Sequence, residues 1–313
     1  MQYRRLGKTE MNVSIIGFGA SPLGNVFEDC DERIGIESVH CAIDHGINFF
    51  DVAPFYGITL AETRLGKALM GKRKDIILAT KCGRYGLRDF DFTYDRIIKS
   101  VDESLKRLNT DYIDLFQLHD IEFGSKEQVL NEAFPAIQKI KESGKARFIG
   151  ITGLPVNYLA EIARNIEIDT VLSWAHFNLL ADEINAELVP LSKEKDFGLL
   201  NAAPLVQRIL SDAPIPSWHN APTQVQAIQP ALLNICQKYG VLLSDVAIRF
   251  AIDNPDIATT IVGMCDASTV TKNVSVLDFS IPDGLLNEIE QIVAPVKNNM
   301  LFEGMPENNI SRK

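Results

Sequence analysis

The chain is poor in the residues that carry disulfide and metal chemistry. Its 313 residues include five cysteines and five histidines. The cysteines, at 30, 41, 82, 236 and 265, are odd in number and none makes a C-x-x-C. They are expected to be reduced thiols of a cytosolic protein, not a disulfide framework. Cys82 adjoins Lys81, but its expected role is that of a small buried hydrophobe. The histidines, at 40, 45, 119, 176 and 219, form no H-E-x-x-H and pair with no cysteine, so no metal is expected. His40 and His45 fall near one helix and read as structural. Positive charge is also short. Lysine and arginine number 31 against 41 acidic residues, the net charge is −10, and no basic cluster occurs. With a pI near 5.1 this argues against nucleic acid or an anionic membrane as partner. No apolar run approaches the roughly 20 residues of a membrane span. Met1-Gln2-Tyr3-Arg4-Arg5 holds no apolar signal core, so a cytoplasmic location is expected. The dinucleotide fingerprint G-x-G-x-x-G is missing as well. Gly17-Phe18-Gly19 is followed by Pro22 and Leu23 and comes too early to open a helix, which disfavours a Rossmann fold.

What is abundant is apolar residues, at 46% of the chain, enough for a large core. They fall in eight short β-rich runs, at 15–19, 48–51, 76–81, 113–118, 148–152, 170–174, 198–203 and 259–263. Helix-patterned segments separate them. In the clearest, Asp95 to Asn109, Ile97, Ile98, Val101, Leu105 and Leu108 share a face and Asp95 is the expected N-cap. Another runs from Glu127 to Ser143 and stops at Gly144. Eight repeated βα units predict an α/β protein with a parallel sheet closed into a (β/α)8 TIM barrel. One such domain is expected over 1–313.

Two segments break the rhythm. Tyr3-Arg4-Arg5-Leu6 and Met11-Asn12-Val13-Ser14 flank a turn at Gly7-Lys8-Thr9 and predict an N-terminal β-hairpin across the barrel's bottom. A long loop over 205–226, with Pro214, Pro216 and Pro222, follows the seventh barrel strand and is expected to cover a ligand. The Asn-rich tail of 295–313 either frays or folds over the mouth through Leu301 and Phe302.

Barrel active sites lie at the C-terminal ends of strands. Asp51, Lys81 and His119 each end a predicted strand, and Tyr56 follows in the loop after Asp51. A buried lysine needs a counter-ion, and Asp51 is the natural one. Lys81 as ammonium would lower the pKa of the Tyr56 phenol, and His119 would orient a substrate oxygen. Together they form a proton-transfer site.

These residues resemble a known family. Leu6-Gly7-Lys8-Thr9, Gly17-Phe18-Gly19, the run Gly46 to Asp51 with Tyr56-Gly57, Ala79-Thr80-Lys81, Leu118-His119, Arg147 to Ile151 and Ala203-Pro204-Leu205 together resemble the aldo-keto reductase superfamily, over nearly the whole chain. Within it the chain is most similar to the aldose 1-dehydrogenases, through Gly19 to Gly24, Thr80 to Tyr85, His119 to Ser125, Gly150 to Pro155 and Trp218-His219. The resemblance implies catalysis by Asp51, Tyr56, Lys81 and His119, with hydride passing to or from a nicotinamide. It implies cofactor contacts from Gly19, Ser21, Asp51, Thr152, Trp174, Ala203, Leu205, Gly263, Thr269 and Asn273. Thr152 stands at the family's carboxamide serine and Asn273 at its adenine-contacting asparagine. Three positions depart from the pattern. Gly153 replaces an asparagine, Trp174 a glutamine, and Ala202 a tyrosine that stacks on the ring.

The expected activity is NAD-dependent oxidation of an aldose, an L-galactose-like pyranose, at C1 to the lactone. NAD is preferred because the two cations that grip the 2′-phosphate in NADP-dependent relatives are replaced by Gly263 and Thr269. Only Lys272 remains nearby, and Asp266 would repel a phosphate. Expected sugar contacts are Asp120, Glu122, Trp174, His176 and Trp218, polar or aromatic residues just past strand ends. The expected partner is a small sugar, and the chain is expected to be a monomer or small homo-oligomer. The alternatives are an NADPH-dependent aldehyde or ketone reductase and a nucleotide-sensing regulatory subunit.

Overall fold

The computed structural model describes residues 1–299 and 303–309. Among these, ten strands form in chain order. They are β1 (Tyr3–Arg5), β2 (Asn12–Ser14), β3 (Ile16–Gly19), β4 (Phe49–Asp51), β5 (Ile77–Cys82), β6 (Ile113–Leu118), β7 (Ala146–Gly153), β8 (Thr170–Trp174), β9 (Gly198–Ala202) and β10 (Thr259–Gly263). Strands β3 to β10 pair in parallel with their sequence neighbours, and β10 returns to β3, closing the barrel. The predicted fold is therefore the observed one, and each expected β-rich run supplies one barrel strand.

Strand alternation explains how the barrel is filled. Phe49, Ala79, Leu115, Leu172, Leu200 and Ile261 pack with Leu6 and Val13 in one interior cluster. Two residues further along the same strands, on the same inward face, stand Asp51, Lys81, Gln117, Trp174, Ala202 and Gly263. An apolar floor thus lies directly beneath a polar layer at the C-terminal mouth. Strand residues of the opposite parity, such as Phe50, Leu78 and Phe116, point outward into the helical layer.

The N-terminal hairpin closes the other end. β1 and β2 pair antiparallel, and Leu6 beyond them is fully buried. Its turn demands glycine at Gly7, where φ is +49 and a Cβ would stand 2.2 Å from Gly198 N.

Two helices differ from expectation in detail. The third long one starts at Tyr94, not Asp95. The Asp91 carboxylate accepts from Thr93 N at 2.9 Å and Thr93 Oγ1 at 2.6 Å, so the N-cap is Thr93, two residues before the expected Asp95, which lies in the first turn. The segment expected to be one helix over 127–143 is Lys126–Gln128, a π-helical turn over Val129–Ala133, and Phe134–Glu142. Pro135 cannot donate to the preceding turn, and the chain widens ahead of it. Gly144, at φ +80, ends it as expected.

The long loop of 205–226 is stitched to itself. His219 Nδ1 accepts from Ala221 N at 3.0 Å, so its Nε2–H donates to Val206 O, also at 3.0 Å. Arg208 pairs with Glu28 across the mouth, and Trp218 packs on Phe27 with ring centroids 6.0 Å apart. On the far side of the mouth Met305 N donates to Glu122 O at 2.8 Å, and Asn308 Nδ2 donates to Glu122 O and Gly124 O at 2.9 Å each. The tail is therefore docked at 303–309, while Leu301 and Phe302 lie outside the described residues. No single described helix is long and apolar enough to cross a membrane.

Candidate active site

Tyr56 is aimed by its backbone. Its N–H donates to Ala53 O at 3.1 Å, and its own carbonyl accepts from Ala61 N at 3.2 Å. The segment after β3 presses directly on this turn. A Cβ on Gly24 would lie 2.7 Å from Tyr56 C, and one on Gly57, at φ +63, would lie 2.2 Å from Gly24 O. Two facing glycines therefore fix where the phenol emerges.

Lys81 binds three groups with its three protons. Its Nζ lies 2.5 Å from Asp51 Oδ1, 3.0 Å from Val52 O and 3.3 Å from Tyr56 Oη. Gln117 Nε2 donates to Asp51 Oδ2 at 3.4 Å. Burial resists the charge on Lys81, but Asp51 and then Tyr56 outweigh it, and its pKa rises above the usual lysine value. Burial raises the Asp51 carboxyl, with Lys81 as the main counterweight. The phenol does not follow the expected direction. Lys81 does lower its pKa, but burial comes first, Asp51 and Asp120 add to it, and the Tyr56 pKa ends above the ordinary phenol value. Without a ligand Tyr56 is a protonated donor.

His119 meets Tyr56 edge to face, with ring centroids 5.7 Å apart at 86°. Burial lowers its pKa to about 3, with Lys81 and Arg84 helping and Asp120 opposing. It is a neutral imidazole at working pH, and its buried Nδ1 has no partner. Its Nε2 stands 3.5 Å from Asp120 Oδ2, and that oxygen accepts from Arg84 Nη1 at 2.5 Å. All four expected catalytic residues thus meet at one mouth, joined by Asp120.

Comparison with known proteins agrees with this geometry. Residues 15–294 match the aldo/keto reductase family. The chain belongs to that family. It is 40% identical to L-galactose dehydrogenase of Arabidopsis thaliana over 318 aligned positions, covering 98% of this chain and 99% of that protein. It is 28% identical to D-threo-aldose 1-dehydrogenase of a Pseudomonas species, covering 89% and 94% of the two chains. Among solved structures, an aldo-keto reductase from Bacillus halodurans in its holo form superposes with a TM-score of 0.78 at 26% identity, covering 99% of this chain and all of that one.

Members of the aldo/keto reductase family use nicotinamide cofactors, and the remaining mouth residues fit one. Gly19 and Gly263 are partners across the β3–β10 seam, and Ser21 and Pro22 flank Gly263, so backbone is left bare there. Beyond β10, Asn273 is buried on the helix Ala267–Ser275 with its Nδ2 unpaired. Thr152 is buried at the end of β7, and Trp174 and Leu205 pack on the wall beside Ala203, which sits at φ +55. The first turn of the helix Ala267–Ser275 is already filled. Asp266 accepts from Thr269 N at 2.8 Å and Thr269 Oγ1 at 2.6 Å. Lys272 is occupied too, donating to Ser244 Oγ at 3.1 Å.

The expected sugar contacts separate. Asp120 stands beside His119, as above. Glu122 does not face open space. It is fully buried, its Oε1 accepts from Leu154 N at 3.0 Å, and Gly304 of the tail covers it. Its carboxyl is held well above the usual range by burial and by the Asp120 charge. No local signal marks this burial, because the covering tail is remote in the chain. His176 turns its Nδ1 to Glu183 and leaves Nε2 buried without a partner. Trp218 is 47% exposed beside Phe27. Arg84 was not singled out from the sequence. Its only sequence signal is a cation two residues past the Lys81 strand end, followed by Phe90 and Phe92.

Proposed function

We propose that this aldo/keto reductase is an NAD-dependent aldose 1-dehydrogenase that oxidises the anomeric carbon of an L-galactose-like pyranose to the lactone. The observation that carries the chemistry is the contact of Lys81 Nζ with both Asp51 and Tyr56 Oη, next to a neutral His119. The similarity to two aldose dehydrogenases supports the substrate class. In this reading His119 and Tyr56 hold the anomeric oxygen. Tyr56, once deprotonated, takes the hydroxyl proton as the C1–H bond breaks. Lys81 stabilises the phenolate, and Asp51 keeps Lys81 charged in a site that excludes water. A bound oxidised nicotinamide supplies the hydride acceptor, held by Asn273 at one end and by Thr152 near the reacting centre. The Asp266 cap supports NAD over NADP, because its carboxylate already holds Thr269 N and repels a 2′-phosphate, and Lys272 is engaged with Ser244 Oγ.

A panel of aldoses including L-galactose, L-fucose and D-arabinose, assayed with NAD and with NADP by absorbance of the reduced nicotinamide, tests this. Turnover of at least one aldose with NAD is expected. Turnover of simple aldehydes with NADPH and of no aldose would make the protein a carbonyl reductase instead. No turnover of either class would favour a nucleotide-sensing subunit.

A further inference from the structure

Beside the Tyr56–His119 pair, three buried polar atoms have no partner among the described residues. They are His119 Nδ1, Asp120 Oδ1 and Arg84 Nε. Buried polar groups are nearly always paired, so a group of open ones at a barrel mouth points to a ligand that completes them.

Asp120 is held firmly with one oxygen open. Its Oδ2 takes Arg84 Nη1 at 2.5 Å, and its backbone N–H donates to Thr152 Oγ1 at 3.1 Å. Its φ is +52, in the left-handed region that aspartate tolerates. Arg84 is fixed in turn by aromatic faces. Its guanidinium carbon lies 3.9 Å from the Phe55 ring centroid and 5.2 Å from those of Phe90 and Phe123. Phe90 and Phe123 stack at 4.1 Å and 9°. A pair that only braced the barrel would have both carboxylate oxygens satisfied inside the protein. Here Oδ1 stays open while Oδ2, 3.5 Å from His119 Nε2, holds the carboxylate against the imidazole that abuts Tyr56.

That placement sets what Oδ1 can meet. A substrate oxygen between Tyr56 and His119 fixes the reacting carbon. The group that then comes against Asp120 is a substituent of the next carbon. A carboxylate only accepts hydrogen bonds, so it selects a hydroxyl there over a carbonyl, an ether or a hydrogen.

We propose that Asp120 is a specificity-determining residue that reads the hydroxyl on the carbon adjacent to the reacting one, and that Arg84, boxed by Phe55, Phe90 and Phe123, is the residue that positions it. The substrate class is α-hydroxy carbonyl compounds and their cyclic hemiacetals. For aldoses the proposal rests on the dehydrogenase reading above. Burial opposes the Asp120 charge, but His119, Arg84 and Lys81 keep its carboxyl below the usual range, against the acidic and phenolic groups of Asp51, Tyr56, Glu122 and Glu303 that also face it.

The test uses substrate pairs that differ only in that hydroxyl. One pair is an oxidised aldose and its 2-deoxy analogue with NAD. The other is glyceraldehyde and 3-hydroxypropanal with reduced cofactor. The wild type should favour the hydroxylated member of each pair by about 10- to 100-fold in kcat/KM, the worth of one charge-assisted hydrogen bond. Asp120→Ala should bring both ratios close to unity, and Asp120→Asn should lower them part of the way. Arg84→Met should act mainly through KM and move the acid limb of the KM profile to higher pH. Arg84→Lys should restore part of both effects, which a packing role would not. If Asp120→Ala does not fold, Asp120→Asn and Arg84→Lys still decide. Equal kcat/KM within the wild-type pairs, or ratios unchanged in the Asp120 variants, would overturn the proposal. Inert aldoses with the glyceraldehyde preference intact would overturn the aldose reading and uphold Asp120. Aldoses oxidised equally fast without the 2-hydroxyl would do the reverse.

Discussion

Lys81 and Asp51 meet at 2.5 Å with side chains only 2% and 5% exposed. A buried pair this dry is costly to break from one side, because the surviving charge is stranded. Asp51→Asn should therefore destabilise the protein by about 3–5 kcal/mol in urea unfolding. Adding Lys81→Met to it should recover part of that loss. A single variant as stable as wild type would mean that the pair is not charged in the fold.

Tyr56→Phe removes the hydroxyl that accepts from Lys81 and little else. Turnover should fall by about 10²–10⁴ while nucleotide affinity, followed by protein fluorescence, stays close to wild type. Lys81 is the cation that pulls the Tyr56 pKa down against burial, Asp51 and Asp120. In Lys81→Met the residual oxidation should therefore reach its plateau at higher pH. A plateau at unchanged pH would show that another group titrates.

The barrel and the meeting of Asp51, Lys81 and His119 at its mouth are legible in the sequence because they follow from strand periodicity, while Tyr56 is placed only by its closeness to Asp51 in the chain. Phe49 and Asp51, Ala79 and Lys81, Leu115 and Gln117 are two apart on one face, so an apolar floor under a polar rim can be read from spacing alone. The Arg84 box was not legible. It depends on an irregular loop that bridges Arg84 to Phe90 and on Phe123 from a different loop. The burial of Glu122 is hidden for the same reason, since its cover comes from Gly304, far along the chain. The direction of the Tyr56 pKa was misjudged because the sequence shows the nearby lysine but not how completely the phenol is buried.

Glu122 gives a pH signature of opposite sign to ordinary carboxylates. Its folded pKa is raised by burial and by Asp120, so the fold binds the proton more tightly than the unfolded chain does. That stability is fully present below the unfolded carboxyl pKa of about 4.3 and is lost as pH rises through the folded value. Glu122→Gln keeps an acceptor for Leu154 N and cannot ionise. It should flatten the alkaline decline of the melting temperature and change little near pH 5. A parallel decline in both proteins would assign the loss to other groups.

The proposed cofactor preference can be tested at two positions, Gly263 and Thr269. Gly263 is exposed and has no positive φ, and a Cβ there would meet Pro22 Cγ at 3.2 Å and Pro22 Cδ at 3.5 Å, so a lysine needs a shift of a few tenths of an ångström. Thr269 lies in the first turn of the helix Ala267–Ser275, where its side chain now serves Asp266. Gly263→Lys with Thr269→Arg supplies two cations and frees one Asp266 oxygen. Each new charge-assisted contact is worth roughly 1.5–3 kcal/mol, or about 10- to 100-fold in NADP affinity. Asp266 still repels the phosphate, so adding Asp266→Ser to the pair should move the preference further. The wild type should favour NAD in kcat/KM, the double variant should narrow or invert the ratio, and the triple variant should favour NADP. A wild-type preference for NADP would mean that Lys272 leaves Ser244 to reach the phosphate. In that case Lys272→Met, not the loss at Gly263 and Thr269, would govern the ratio.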